Sequence, residues 1–227
     1  MAPVDLADDP HALLTLLLDA ADGRFPAVDG EVEVLPPLRN GLGCSFAFTG
    51  HAVVATARSA EEVRAQGPDG FGGSAGPDFL RWLAGPDGWI GCLDASLVAH
   101  GTGRPGERAA LPVTTEHDAH ARVRYARELR EEVRVFGDER GFVTLSAGLA
   151  GRPELSVELP EAARHGKGDG RSLLRDALTL IPSGEPVFAA VSPGNARSLR
   201  SFLAVGFVPI GSEVVIRPAG AGRGQAS

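Results

Sequence analysis

Arg164-His-Gly-Lys-Gly-Asp-Gly-Arg-Ser-Leu-Leu174 is the most informative stretch of this sequence, because it places three glycines, at positions 166, 168 and 170, between a predicted strand and a predicted helix. Glycines at such a junction let the backbone turn tightly and approach a ligand closely. The free amides and the dipole of the following helix attract a phosphate group. The stretch therefore predicts a phosphate-binding turn.

Two common phosphate-binding motifs do not fit this loop. A P-loop requires Gly-x-x-x-x-Gly-Lys-Ser/Thr, which the chain lacks. The observed spacing, Gly-x-Gly-x-Gly, also differs from the dinucleotide fingerprint Gly-x-Gly-x-x-Gly. These two kinds of nucleotide site are therefore excluded.

The elements predicted around the loop follow one another in the order β-β-β-α-β-α-β. Strands are predicted at 132–136, 142–147, 154–159, 186–191 and 207–216, and helices at 171–180 and 195–205. A hairpin at the start and crossover helices later imply a mixed sheet. The predicted fold class is α/β with a mixed sheet.

A second motif follows the loop, at Val191-Ser-Pro-Gly-Asn-Ala-Arg-Ser-Leu-Arg-Ser-Phe-Leu-Ala-Val-Gly-Phe207. It resembles the Asn-x-x-Ser/Ala … Tyr-x-x-x-Gly-Phe signature of the GCN5-related N-acetyltransferases (GNAT superfamily). The loop itself resembles the pyrophosphate loop of that family, Gln/Arg-x-x-Gly-x-Gly/Ala, with His165 in the first position and Arg164 as the alternative. The resemblance spans roughly residues 130–217 and implies a GNAT-like fold there.

The resemblance also implies acetyl-CoA, or another acyl-CoA, as co-substrate. Backbone amides of the loop would hold the pyrophosphate, those of the third strand would pair with pantetheine, and Asn195 would anchor pantetheine or the adjoining helix. The implied CoA-binding residues are Val157, Glu158, Leu159, His165, Gly166, Lys167, Gly168, Asp169, Gly170, Arg171, Asn195, Ser198 and Phe202. Asp169 departs from the family pattern, because an apolar residue is usual there.

The catalytic residues implied by the resemblance are Glu154, Glu158 and Ser198. The family often has a carboxylate base on the third strand, where Glu154 and Glu158 share one side and Glu154 is the first choice. Such a base works best when burial raises its pKa toward neutrality. The tyrosine that usually protonates the leaving thiolate is Phe202 here. Ser198, Ser201 or a water could serve instead, the thiolate could leave unassisted, or the domain could bind CoA without catalysis.

The first half of the chain has strand-rich patterning without a motif of its own. The sequence suggests three segments: an N-terminal α/β region at 1–105, a GNAT domain at 106–218 and a flexible tail at 219–227. Three roles are open for the first: a degenerate GNAT-like half, which is favoured, a source of the core's missing first strand and helices, or a substrate-binding or dimerising unit. Among the strands predicted in this segment, the one over 89–99 is expected to be uninterrupted. Beyond the segment, the sequence predicts a helix capped by Thr115.

Composition excludes several classes of protein. The net charge of −7 argues against a general nucleic-acid binder, which needs a basic face. Cys44 and Cys92 form no disulfide framework and are expected as small buried residues. His117 and His120 share a helix without a third ligand at suitable spacing, so no metal is predicted. No signal peptide or membrane span is recognisable, which predicts a cytoplasmic protein.

The sequence thus predicts an N-acetyltransferase that moves an acetyl group from acetyl-CoA to a primary amine of a small molecule or peptide. The alternative is a catalytically weak acyl-CoA-binding or regulatory module of the same fold. No nucleic-acid or membrane partner is expected, and a homodimer is one option. The identity of the acceptor lies in variable loops that carry no motif.

Overall fold

A computed structural model of the chain describes residues 10–107, 109–160 and 168–220. The helices of these residues are α1 (Ala12–Ala21), α2 (Ala60–Ala65), α3 (Pro77–Ala84), α4 (Ala121–Leu129), α5 (Asp169–Leu178) and α6 (Ala196–Ala204). The strands are β1 (Val32–Leu35), β2 (Gly43–Phe48), β3 (His51–Ala55), β4 (Trp89–Ile90), β5 (Asp94–His100), β6 (Glu131–Asp138), β7 (Gly141–Ala147), β8 (Pro153–Glu158), β9 (Pro186–Val191) and β10 (Val208–Arg217).

The strands form one mixed sheet, which confirms the predicted fold class. Its order is β1-β3-β2-β10-β5-β9-β8-β7-β6, with β4 attached to β10. The pairs β1–β3 and β8–β9 are parallel, while the other neighbours are antiparallel. The parallel pairs arise where a crossover separates two strands, as between β8 and β9, which α5 connects.

Strands from the two halves of the chain alternate at the centre of this sheet. β5, which precedes residue 105, pairs with β9, and the C-terminal β10 inserts between β2 and β5. The predicted boundary at residue 105 therefore falls in a loop between two strands of one sheet rather than between two sheets.

Strand β5 packs against helices on both of its faces. Leu97 belongs to a buried cluster with Leu173 and Leu174 of α5, whereas Val98 belongs to a second cluster with Leu13 of α1. Successive side chains on a strand point to opposite faces, so Asp94 shares the α1 face with Val98. We call this side of the sheet the α1 face.

Two predicted elements begin or end elsewhere. The strand predicted over 89–99 is divided into β4 and β5, and Cys92, between them, is exposed rather than buried, which corrects that prediction. The helix predicted from Thr115 begins at Ala121, and its cap is His120, whose Nδ1 accepts a hydrogen bond of 3.2 Å from the Arg122 amide. The rings of His117 and His120 pack on Phe142, which holds this segment outside the helix.

None of the helices in the described part of the chain has both the length and the apolar character needed to cross a membrane.

The interleaving of strands from the two halves of the chain predicts how stability responds to a substitution in β5. Leu97→Ala empties a site that is 0% exposed in β5 and should lower the free energy of unfolding by about 2–5 kcal/mol. Because the sheet is continuous, tryptophan fluorescence from Trp82 and Trp89, which both precede residue 105, should follow the same single transition as far-UV circular dichroism in urea. Leu93→Ala, at a side chain 45% exposed, is the control and should cost about 1 kcal/mol or less. Two separated transitions would contradict the continuous core.

Candidate active site

A cavity of about 720 Å³ lies on the α1 face, between the two halves of the chain. One wall consists of residues from α1 and the turn that follows β1, among them His11, Leu14, Leu38 and Arg39. The opposite wall comes from α4 and the start of β6. The floor comes from β5, β8, β9 and β10, so both halves of the chain are needed to build it.

The cavity opens between β8 and β9, where the two strands separate. Within the described residues, their parallel pairing consists of a single register position, Glu154 with Phe188. Beyond that position each strand continues, and Val157 of β8 and Val191 of β9 both line the cavity. A slot between diverging parallel strands offers backbone groups on both sides to an extended ligand.

The structure brings together some of the predicted CoA-binding residues and not others. Val157, Asn195, Ser198 and Phe202 line the cavity. Glu158, Leu159, Gly168, Asp169, Gly170 and Arg171 are placed outside its lining. His165, Gly166 and Lys167 lie outside the described residues.

The N-terminus of α5 nevertheless lies close to the end of β8. A Cβ atom on Gly170 would lie 3.3 Å from Leu159 Cδ1, and Gly168 precedes the helix with φ of 90°, a conformation that favours glycine. The first amides of a helix have no partner within it and attract anions. Asp169 stands in this first turn, where a carboxylate also interacts favourably with the helix dipole.

Asn195 caps α6 at the edge of the cavity. Its side-chain oxygen accepts a hydrogen bond of 3.1 Å from the Ser198 amide, which explains why this sequence starts a helix there. Asn195 thus fixes the start of the adjoining helix, and its contact with pantetheine stays a prediction. Ser198 lies in the first turn of this helix and lines the cavity.

Glu154, the predicted base, is fixed in a buried ionic cluster. It is 2% exposed, and its two oxygens face Arg130 at 2.5 Å and Arg152 at 3.1 Å. Burial alone would raise the pKa of Glu154, but the two guanidinium groups outweigh it and lower the pKa. The pKa shift is therefore opposite to the one expected for a general base. A Cβ on Gly148 would lie 2.2 Å from Glu154 Oε2, so this packing requires a glycine.

Arg152 holds the cluster together from the centre of the sheet. The residue is 0% exposed, and it donates hydrogen bonds to Glu154, to Glu213 Oε1 at 2.8 Å and to Ser96 at 3.0 Å. Burial acts to lower the pKa of Arg152, but the carboxylates of Glu213 and Glu154 raise it well above its usual range. The cluster thus joins β8 and β10 through ion pairs and β5 through a hydrogen bond to the Ser96 hydroxyl.

Glu158, the second predicted catalytic carboxylate, lies at the far end of β8. Its side chain is 31% exposed and pairs with Arg122 of α4 at 2.5 Å. Glu158 is not among the residues that line the cavity. This placement makes it a contact between α4 and the sheet.

Asp94 is the carboxylate on the cavity floor that sequence reasoning missed. It lies directly opposite Glu213 in the β5–β10 register. Burial, together with the carboxylates of Glu213 and Glu154, raises the pKa of Asp94 to about 6, although the Cys92 thiol and Arg130 oppose the rise. No spacing marks Asp94 in the sequence, because strand pairing alone brings it to the floor.

Two aromatic residues face the same cavity. Phe202 is 2% exposed and packs edge-on against Phe207, with ring centroids 4.9 Å apart. Tyr125 lies on α4 and is 45% exposed, and burial of part of the phenol raises its pKa. The cavity therefore holds a phenol from α4 although position 202 has none.

Backbone strain is concentrated around this cavity. Among the described residues, three non-glycine residues have φ in the left-handed region: Asn40 at 57°, Glu132 at 53° and Ala150 at 55°. All three line the cavity. Such conformations cost about 1–3 kcal/mol each and are retained where the surrounding structure enforces them, often at functional sites.

No group of three or more His, Cys, Asp and Glu side chains within 10–107, 109–160 and 168–220 is arranged to hold a metal ion. What the cavity offers chemically is an aspartate with a pKa near neutrality, a phenol and an open slot between two strands.

Solved structures similar to this chain include members of the GNAT family. They are a candidate acetyltransferase from Novosphingobium aromaticivorans (13% identity, TM-score 0.41, 59% of this chain and 69% of that one), an acetyltransferase from Colwellia psychrerythraea (10%, 0.36, 57% and 57%) and an N-acetyltransferase from Kribbella flavida (14%, 0.35, 59% and 60%). No protein-family model and no curated protein sequence matches the chain.

The ionic cluster predicts a difference between the two carboxylates of β8. Glu154→Gln would leave Arg152 and Arg130 with less compensation in a buried site and should lower the free energy of unfolding by about 3–5 kcal/mol at pH 7. Glu158→Gln makes the same change four residues away at a partly exposed pair and should cost about 1 kcal/mol or less. Urea denaturation of both variants measures this, and equal losses would contradict a structural role for Glu154.

Proposed function

We propose that this chain transfers an acyl group, most simply acetyl, from an acyl-CoA to a primary amine. The observation that carries the proposal is the slot between β8 and β9, which opens beyond the Glu154–Phe188 pair into a cavity of about 720 Å³. Pantetheine is an extended amide chain, and it can pair with strand edges while its thioester reaches the cavity. The sequence motifs at both ends of the slot support the same ligand.

The chain's own residues suit each part of CoA. The α5 N-terminus, which begins at Gly168 beside the end of β8, would receive the pyrophosphate. Val157 and Val191 would flank pantetheine, and Asn195 would keep α6 in place beside it. The predicted contacts of His165, Gly166 and Lys167 belong to this part of the proposal.

Asp94 would serve as the general base. An amine must lose a proton as it attacks the thioester carbon, and a carboxylate with a pKa of about 6 is ionised at neutral pH yet basic enough to accept that proton. Glu154 is unsuited because Arg130 and Arg152 occupy its oxygens. This assignment moves the base from β8 to β5.

Tyr125 would supply the proton that the departing thiolate needs. As the carbon–nitrogen bond forms, the carbon–sulfur bond breaks and leaves CoA as a thiolate. The raised pKa of Tyr125 keeps its phenol protonated at neutral pH, as a proton donor requires. Phe202 contributes only an apolar surface at this point.

A second function fits the observation that position 202 is a buried phenylalanine. The chain would then bind acyl-CoA as a regulatory module and transfer little. The two functions share the CoA slot and differ in whether Asp94 and Tyr125 act on a bound amine, so binding and turnover must be measured separately.

The slot predicts acyl-CoA binding that a bulky side chain can block. Calorimetric titration with acetyl-CoA should show micromolar affinity for the wild type and at least a tenfold loss for Ala190→Trp, which fills the slot from β9. Ala204→Trp, on the exposed side of α6, is the matched control and should bind like the wild type. No binding of acetyl-CoA or longer acyl-CoAs by the wild type would overturn the proposal.

The assignment of Asp94 makes opposite predictions for activity and stability. Asp94→Asn should lower kcat by about 10²–10³-fold. In the wild type, kcat/KM should fall tenfold per pH unit below about 6, where Asp94 becomes protonated. Thiol release with a panel of primary amines measures both, and Asp87→Asn, at an exposed position outside the cavity, should leave both unchanged.

The same variant should be more stable than the wild type. A folded pKa above the unfolded value means that ionising Asp94 opposes folding, from about pH 4 upward and fully above about pH 6. Because Asp94 is half-buried, solvent screening reduces the gain for Asp94→Asn to about 1 kcal/mol at pH 7.5, and it should vanish at pH 4. A loss of stability at pH 7.5 would contradict the assignment.

A further inference from the structure

We infer that the acceptor is an amine whose apolar body carries a second positive charge, and that Glu132 binds that charge. The inference rests on the proposed function, because the cavity that would hold the acceptor is the proposed acyl-transfer site. It concerns the end of the cavity between the first residues of β6 and the turn after β1.

Within the described part of the chain, the arginines that line the cavity have ion-pair partners, whereas two of its carboxylates do not. The arginines of its wall are each paired: Arg39 with Glu131 at 2.8 Å, Arg130 with Glu154 at 2.5 Å and Arg122 with Glu158 at 2.5 Å. Among the described residues, neither Asp94 nor Glu132 forms an ion pair. A cationic ligand would therefore meet free carboxylates, whereas an anionic ligand would have to break an existing pair.

Two buried polar atoms among the described residues that line the cavity lack a hydrogen-bond partner. They are Arg130 Nη1 and Glu213 Oε2, and the second lies 2.8 Å from Arg152 Nη1 in an ion pair. Neither atom is accessible to a ligand, so the charges that a ligand would meet are the carboxylates of Asp94 and Glu132.

Glu132 is an exposed residue with an unusual backbone conformation. It lies in a bulge of β6, where the register with β7 shifts between Glu131 and Arg134, and its φ of 53° is strained for a side chain with a Cβ. Bulges often turn a side chain toward a site. The next residue before it, Glu131, is held across the cavity by Arg39, beside the strained Asn40. Strain on both walls thus surrounds the position that we assign to the second charge.

Apolar side chains line the same cavity as Asp94 and Glu132. They are Leu14 of α1, Leu38 of the turn after β1, Leu129 of α4 and Leu149. Methylene groups of a ligand would be favoured against them, because the contact removes apolar surface from water on both sides. An alkyl chain with an amino group at each end matches a cavity whose described residues include two carboxylates without ion pairs and several leucines.

Three probes differ only in the second group: 1,6-diaminohexane, hexylamine and 6-aminohexanoate carry a positive, a neutral and a negative group. With acetyl-CoA, kcat/KM should be highest for the diamine, at least tenfold lower for hexylamine and lowest for the amino acid. Glu132→Gln should lower kcat/KM for the diamine by about tenfold through KM and leave hexylamine unchanged. Glu128→Gln, on the exposed side of α4, makes the same charge change outside the cavity and should alter nothing.

Direct titration of the three amines into the protein without acetyl-CoA separates this inference from the proposed function. Tighter binding of the diamine that Glu132→Gln weakens would support the inference even if acetyl-CoA did not bind. A preference for 6-aminohexanoate, or an equal effect of Glu132→Gln on the diamine and on hexylamine, would overturn it while leaving acyl transfer intact.

Discussion

The buried guanidinium of Arg152 controls the charge of the whole cavity floor. It pairs with the buried carboxylates of Glu154 and Glu213, and Arg130 pairs with Glu154 as well. Three carboxylates thus face two guanidinium groups, and the excess negative charge falls on Asp94, the carboxylate at the edge of the cluster. Burial of Asp94, together with the carboxylates of Glu213 and Glu154, makes it gain a proton more readily than a free aspartate does. The chemistry that we propose follows from this burial and from the unbalanced charge around Asp94.

Much of the fold could be predicted from the sequence, because its elements have strong local signals. Each of these signals depends only on residues a few positions away in the sequence. They are the glycines before α5, Asn195 at the start of α6 and the apolar residues of β7 and β9. The start of α4 was mispredicted because the packing of His117 and His120 on Phe142, which comes later in the sequence, outweighs a local capping preference. Strand order at the centre of the sheet has no local signal at all.

The candidate site was predictable to the same extent. Val157, Asn195, Ser198 and Phe202 belong to motifs and lie at the cavity. Asp94, Tyr125 and Glu132 do not belong to motifs, and they meet there only because β5, α4 and a bulge of β6 are brought together by pairing and packing. Glu154 was predicted as the base from its position on the third strand, but its surroundings depend on Arg130 and Arg152, whose contacts with it arise only in the folded structure.

The pairing of β5 with β10 also determines when, during synthesis of the chain, the cavity can form. β5 contributes Asp94, β10 contributes Glu213, and more than a hundred residues separate the two paired positions along the chain. Closing so long a loop is entropically costly, so such a pairing forms late and slowly. During synthesis, β5 emerges well before its two neighbours in the sheet and must be shielded from other exposed strands until β9 and β10 follow. The floor of the cavity can therefore be completed only after β10 has been synthesised.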